Sequence, residues 1–161
     1  EFPEKEYQTY RGNCPFTFDY PVYGEVVKDN QECWLNVDYP EFKGRLHLSY
    51  KKIDNNVREY FEDSRKFAMA HIQKADAIDE RAIIQPDRKV YGLMYNIKGN
   101  AASSCQFYIT DSTDHFLRGA LYFNVSPNND SIAPVLDFLN ADIDRMIDSF
   151  EWTRDSALTA K

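Results

Sequence analysis

The chain predicts an α+β domain, a mostly antiparallel sheet of about six to seven strands with helices packed on it. Three observations predict it. Short stretches alternate apolar and polar residues with period two, two longer stretches repeat apolar residues at helical spacing, and no regular strand–helix–strand alternation calls for a parallel sheet. The 161 residues suffice for one domain with a sizeable core. With 43% hydrophobic residues, 11 Tyr and 11 Phe, the chain is too rich in large apolar side chains to be disordered. We read residues 1–161 as a single domain, with 1–13 an N-terminal extension and 153–161 a solvated tail.

The elements follow in order. Phe16 to Tyr20 alternates through Phe16, Phe18 and Tyr20, and Val22 to Lys28 continues it after a break at Pro21. Asp29-Asn30-Gln31-Glu32 is a polar turn. Cys33 to Tyr39 alternates through Leu35, Val37 and Tyr39 and stops at Pro40, while Gly44 opens a strand that puts Leu46, Leu48 and Tyr50 on one face. Asp54-Asn55 caps a helix over about 55–74, whose stripe is Val57, Tyr60, Phe61, Ser64, Ala68, His71, Ile72 and Ala75. Residues 76–85 form a strand before a Pro86-Asp87 turn. KVYGLMYNIK, AASSCQFYIT and FLRGALYFNV then make a three-strand meander with tight connections at Gly99-Asn100 and DSTDH. Asp130 or Ser131 caps a final helix that holds Pro134 in its first turn. Its stripe runs Ile132, Val135, Leu136, Leu139, Ile143, Met146, Ile147 and Phe150.

Charge narrows the function. A net charge of −7 and a pI near 4.9 exclude the basic footprint of a nucleic-acid binder. No block of Lys and Arg suits an anionic membrane surface, and no apolar run approaches the ~20 residues of a transmembrane helix. The first residues lack the charged-then-apolar plan of a secretion signal.

Chemical motifs are sparse. Asp111-Ser112-Thr113-Asp114-His115 beside Ser103-Ser104-Cys105 hints at a hydrolase, but no Gly-x-Ser-x-Gly elbow is present, and a polar cluster between two strands is what a turn requires. Cys105 shares a face with Phe107 and Ile109, so it reads as a small buried hydrophobe. His47, His71 and His115 have no ligand spacing, and Cys14 and Cys33 form no Cys-x-x-Cys pair, so no metal is expected. Gly92, Gly99 and Gly119 are scattered and make no phosphate loop. Glu62-Asp63 and Asp79-Glu80 read as solvated faces. Arg118 shares a strand face with Phe116, Ala120 and Tyr122. If helices cover only one side of the sheet, that face is an open aromatic and Arg surface suited to protein recognition. The plainer reading is an arginine stem packed over aromatics with its head in water.

Two phrases repeat: CPFTFDYPVY at 14–23 and CWLNVDYPEF at 33–42. Each reads as a half-buried strand closed by Tyr-Pro, because proline cannot continue a central ladder. Aligned as an antiparallel pair, Cys14 and Cys33 would lie roughly 15–20 Å apart, beyond disulfide reach. A parallel or offset arrangement, or a break at Pro21 that folds the first segment back, would bring them together.

Taken as whole stretches, the sequence resembles the GldD family of gliding-motility lipoproteins of Bacteroidetes. The matching segments are PEKEYQ (3–8), both repeated phrases, HLSYK (47–51), DSRKFAMAH, KADAIDE, VYGLMYNIKGNAASS, FYITDSTDHFLRGALYF and NDSIAPVLDFL. The resemblance implies a cell-envelope protein that is lipid-anchored on the inner or outer membrane, faces the periplasm and is needed for gliding and the associated type IX secretion. Its signal peptide and acylated cysteine are expected upstream. Cys14 is not that cysteine, since a strand follows it and no signal-type apolar stretch precedes it. The order of elements is similar to the Mog1/PsbP-like α/β/α sandwich. No reaction, cofactor or catalytic residue comes with the resemblance.

The expected role is a non-catalytic module that binds other envelope, gliding or secretion proteins. Its candidate surface comprises Gly99, Asn100 and Ser103 in one loop, with Asp111, Ser112, Thr113, His115, Phe116, Arg118 and Tyr122 around the next. The competing class is a small-ligand binder or hydrolase with a pocket between helix and sheet. An oxidising periplasm, implied by the family, favours a Cys14–Cys33 disulfide. The strand geometry opposes it, and the sequence leaves the pairing open.

Overall fold

A computed structural model of the chain describes residues 2–69, 75–99, 103–123 and 129–153. They form strands β1 (Tyr7–Tyr10), β2 (Phe16–Pro21), β3 (Glu25–Lys28), β4 (Leu35–Tyr39) and β5 (Gly44–Lys52), then helix α1 (Val57–Met69). Strands β6 (Ala75–Gln85), β7 (Val90–Gly99), β8 (Ser103–Thr110) and β9 (His115–Phe123) follow, then helix α2 (Asn129–Ser149) and strand β10 (Glu151–Trp152). Seven strands build one sheet in the order β3-β4-β5-β9-β8-β7-β6, and three build a second in the order β1-β2-β10. Every pairing among the described residues is antiparallel.

Period two explains the layers. One face of the large sheet collects Leu35, Val37, Leu46, Leu48, Phe107, Ile109, Leu117 and Leu121. Over it lie Leu139, Ile143, Met146 and Ile147 of α2 and Phe16 and Phe18 of β2. The opposite face sends Tyr95, Ile97, Tyr108 and Phe116 against Val57, Tyr60 and Phe61 of α1. The fold is therefore α+β, a sheet between helical layers, with the small sheet sharing the layer of α2.

Several boundaries differ from the sequence reading, each for a local reason. Val22 to Lys28 does not continue β2: Val22 and Tyr23 turn the chain, the Gly24 amide donates to the Pro21 carbonyl at 2.9 Å, and β3 pairs with β4 instead. Cys33 lies outside β4, at a left-handed φ of 59°. The cap of α1 is neither Asp54 nor Asn55. The helix begins at Val57: Asn55 takes a left-handed conformation (φ 57°), and the Asn56 side chain braces that turn, accepting the Asp54 amide at 2.9 Å and donating to Glu59 at 3.1 Å. α1 is described to Met69, so His71 and the rest of the predicted 55–74 helix lie outside the described residues. α2 starts at Asn129, which places Asp130, Ser131 and Pro134 inside the helix. The Tyr-Pro exits also differ. Pro21 still pairs with Tyr7, whereas Pro40 opens a 3₁₀ turn ending on left-handed Lys43 (φ 53°). The structural twin of that turn is Pro86–Arg88, ending on left-handed Lys89 (φ 55°).

Cys14 and Cys33 are joined in a disulfide with Cα atoms 5.5 Å apart. A separation of roughly 15–20 Å holds only for two segments that pair in one ladder. These do not: β2 and β4 belong to different sheets, stacked across the core, so the starts of both segments meet.

Two stability predictions follow from this packing. Replacing both cysteines by serine frees a loop spanning 19 residues. It should cost about 3 kcal/mol on loop-entropy grounds and lower Tm by roughly 6–12 °C. Reductant should reproduce the shift in the wild type and leave the double variant unchanged. At Gly92 a Cβ would stand 1.8 Å from the Tyr108 carbonyl oxygen, which is backbone and cannot swing away. Gly92→Ala should therefore cost about 3 kcal/mol, the upper end for overpacking. At Gly44 the nearest atom is the Phe123 ring at 3.2 Å, so Gly44→Ala should lose less in the same denaturant titration.

Candidate functional site

The Asp111–Asp114 turn is held by its own polar groups. Asp111 Oδ1 accepts the backbone amides of Thr113 (3.0 Å), Asp114 (2.9 Å) and His115 (2.9 Å). Ser112 adopts a left-handed conformation (φ 79°), and its amide donates to Thr110 Oγ1 at 2.9 Å. The Thr110 hydroxyl in turn donates to the His115 carbonyl. The turn then carries the entry to α1, because the Ile53 amide donates to the Asp114 carbonyl (2.9 Å) and the Asn55 amide to that of Thr113 (3.3 Å). Side chains that would suit acid–base work in a cleft are here spent on a connection, while Ser112, Thr113 and Asp114 face solvent.

His115 leaves the turn and enters an aromatic group. Its Nδ1 lies 2.5 Å from the Tyr50 hydroxyl, and its ring stacks on Trp152 at 5.0 Å and 16°. Trp152 Nε1 donates to the Lys89 carbonyl at 3.0 Å, so β10 is pinned beside the β6–β7 turn.

Phe116, Arg118 and Tyr122 project from the face that α1 covers. Phe116 is 3% exposed and packs against Tyr60 (5.2 Å), Tyr108 (5.5 Å) and Phe61 (6.5 Å). It is core, not contact surface. Arg118 and Tyr122 are half-buried. Burial lowers the pKa of Arg118 and raises that of Tyr122, with Arg118 partly opposing the second shift. The premise of an open face, with helices on one side only, does not hold.

The two candidate loops also do not form one surface. Gly99 ends β7 and Ser103 begins β8, whereas Asp111 follows the far end of β8, about 23 Å away at strand rise. Asn100 lies outside the described residues. A register shift between Ser103 and Cys105 places Ser103 opposite Tyr122. Cys105 is a buried thiol whose pKa burial pushes up to about 12, as suits a small hydrophobe. Among the described residues no group of three or more His, Cys, Asp or Glu could hold a metal ion, and no helix is long and apolar enough to cross a membrane.

One polar cluster escaped the sequence reading. Asp142 of α2 has a fully buried side chain. Its carboxylate accepts from Lys5 Nζ (2.9 Å), the Tyr7 hydroxyl (2.7 Å) and the Tyr23 hydroxyl (2.5 Å). Lys5 also donates to the Phe138 carbonyl at 2.7 Å and sits 3.4 Å over the Phe138 ring, which stacks on Phe2 at 4.4 Å. Residues 2–7 are thus clamped onto α2. A signal did exist: Asp142 interrupts the stripe between Leu139 and Met146, and a carboxylate at a core position needs a buried partner. Its cation, however, lies 137 residues away.

These contacts fix a pH response. Burial and the bond to Asp142 raise the Tyr7 pKa to about 12, and the same causes raise that of Tyr23. Below pH ~10 folded and unfolded chains both hold the phenolic protons. Between ~10 and 12 the unfolded chain gives them up first, so deprotonation favours unfolding and stability falls as pH rises. Urea titrations should show this alkaline loss, and Tyr7→Phe should flatten it. An unchanged slope in Tyr7→Phe would remove Tyr7 from the account.

Comparisons with known proteins bear on this geometry. Over 93% of its length the chain is similar in fold to the solution structure of cyanobacterial PsbP (CyanoP) from Synechocystis sp. PCC 6803, covering 94% of that chain at TM-score 0.51 and 14% identity. A crystal structure from Bacteroides thetaiotaomicron matches 92% of the chain and 49% of its own at TM-score 0.40 and 11% identity. No curated protein matches. The likeness to CyanoP shows a PsbP-like fold. The family model for gliding motility lipoprotein GldD matches residues 1–152, and the chain belongs to that family.

Proposed function

We propose that this protein is a non-catalytic, lipid-anchored, periplasm-facing module of the gliding machinery and its associated type IX secretion apparatus, folded as one domain and acting by binding another envelope protein. The observation that carries the reading is the family match across residues 1–152. The geometry agrees with it. Asp111 is occupied by three backbone amides, and His115 by Tyr50 and Trp152. The groups a hydrolase would deploy in this turn are therefore committed to the fold.

The test separates chemistry from binding. A Ser112→Ala, Asp114→Asn, His115→Phe variant keeps the Asp111 turn and an aromatic ring against Trp152. It should restore gliding to a deletion strain as well as wild type does, scored by colony spreading and single-cell speed. Loss of gliding in a variant with a wild-type circular dichroism spectrum would establish a chemical role for these groups. In the same strain, a photo-crosslinking residue scanned over exposed positions including Val22, Arg45, Ile84 and Thr113 should yield a discrete adduct with an envelope protein. No adduct from any position would overturn the binding reading.

A further inference from the structure

The large sheet has two outer strands, and they are built differently. β3 is 4 residues long, and three of the four, Glu25, Val27 and Lys28, are exposed. Short charged edges are how natural sheets avoid adding strands. β6 is 11 residues long and pairs with β7 in unbroken register from Ala77 to Gln85. Its second half, Ala82-Ile83-Ile84-Gln85, carries no charge and no proline. Ile84 is 68% exposed, more than any other large hydrophobic among the described residues. An edge of this length and composition is a template for another strand.

The edge is also one wall of a groove. Arg81 to Gln85 line one side, and Asp144, Ile147 and Asp148 of α2 line the other, around a volume of about 280 Å³. Ile83 and Ile147 are buried at its base. Two contacts tie strand to helix, Arg81 to Asp144 at 2.6 Å and Gln85 to Asp148 at 3.4 Å. A strand edge running beside a helix flank is the arrangement that seats extended peptides by main-chain pairing, with side-chain specificity set by alternate positions.

We propose that the outer edge of β6 and the adjoining flank of α2 form a strand-addition site for an extended segment of another envelope protein in which apolar and cationic residues alternate. The proposal rests on the binding role given above and names its surface. The alternation follows from the pleat. Arg81, opposite Met94, lies on the α2 side of the sheet, and so do Asp79, Ile83 and Gln85. Ile84 and Ala82 lie on the α1 side. Incoming residues of one parity therefore meet Asp144, which pairs with Arg81, and Asp148, which accepts from Gln85, the residue that Arg88 also contacts. Residues of the other parity meet Ile84 as a cross-strand neighbour, where an apolar side chain is favoured. The same charges decide against a second copy of this chain. A two-fold β6–β6 pairing would set the acidic flank of each copy against that of the other, in a protein already at net charge −7.

The probe is a blocked ten-residue peptide of alternating Val and Lys, compared with a Val–Glu peptide and with a Val–Lys peptide N-methylated at every backbone nitrogen, so that neither edge can donate. Val–Lys should bind in fluorescence anisotropy and slow hydrogen exchange of the amides of residues 78–85. The N-methylated peptide should bind at least tenfold more weakly, because it cannot complete a ladder. Ile84→Lys, at an exposed position that leaves the fold intact by circular dichroism, should weaken Val–Lys binding at least tenfold. Asp144→Asn with Asp148→Asn should erase the preference for Val–Lys over Val–Glu. Unchanged exchange across 78–85, or equal binding of the N-methylated peptide, overturns the site. A dimer in solution that Ile84→Lys dissociates also overturns it, in favour of a second copy. In cells, an adduct from Thr113 but none from Ile84 rejects this edge and leaves the binding role standing.

Discussion

The ring of Phe16 is the contact on which the two sheets depend. It is fully buried and lies against Tyr10 (6.2 Å), Phe18 (6.1 Å), Tyr50 (5.8 Å), Phe150 (5.4 Å) and Trp152 (6.4 Å). One side chain therefore joins β1, β2, β5, the end of α2 and β10. A three-stranded sheet whose outer strands have four and two residues cannot stand alone in water. It persists because β2 presses Phe16 and Phe18 into the face of the large sheet that α2 also covers. Truncating such a ring usually costs about 3–5 kcal/mol. Here the same loss would reach the stacking of Trp152 on His115, and with it the Asp111 turn and the entry to α1.

The second constraint is the carboxylate of Asp142. A buried charge is costly unless paired and hydrogen-bonded, and this one accepts from Lys5, Tyr7 and Tyr23. Residues 5, 7 and 23 are thus tied to α2 through one carboxylate. The pair is not fully sequestered, since the Lys5 side chain keeps 32% exposure, and solvent screening reduces its worth below that of a wholly buried pair. Lys5 gains a further hold from the Phe138 ring beneath it.

What the sequence revealed follows from the range of its signals. β4, β5, β7, β8 and β9 were legible because each is half-buried and long enough for period two to show. β1, β3 and β10 span two to four residues and carry no period. The stripe of α2 was legible, as was the phase that buries Cys105 beside Phe107 and Ile109. The start of α1 differs because Asp54-Asn55-Asn56 offers three capping residues in a row, and the left-handed turn at Asn55 delays the first helical residue to Val57. The site was read less well. Alternation placed Phe116, Arg118 and Tyr122 on one face correctly but could not say that α1 lies on it. The groove beside β6 depends on a strand and a helix some sixty residues apart, which no local pattern connects. The bond between Cys14 and Cys33 turned on whether two similar phrases share a ladder, a matter of sheet assignment rather than of strand length.

That bond also sets how the molecule would carry a pull. Tension entering at Phe2 meets Lys5 on Asp142 first, then the four paired residues of β1. Beyond these the chain reaches Cys14, and the path jumps through the sulfur atoms to Cys33. Ahead of the disulfide the stretch from Phe2 to Cys14 can be drawn out, about 40 Å when fully extended, before the load passes to Cys33 and on to β4. Residues 15–32, with Phe16 among them, form a closed loop off the load path. The disulfide thus shunts tension past β2, so a pull at this end loads Cys33 and β4 without stretching the loop that carries Phe16.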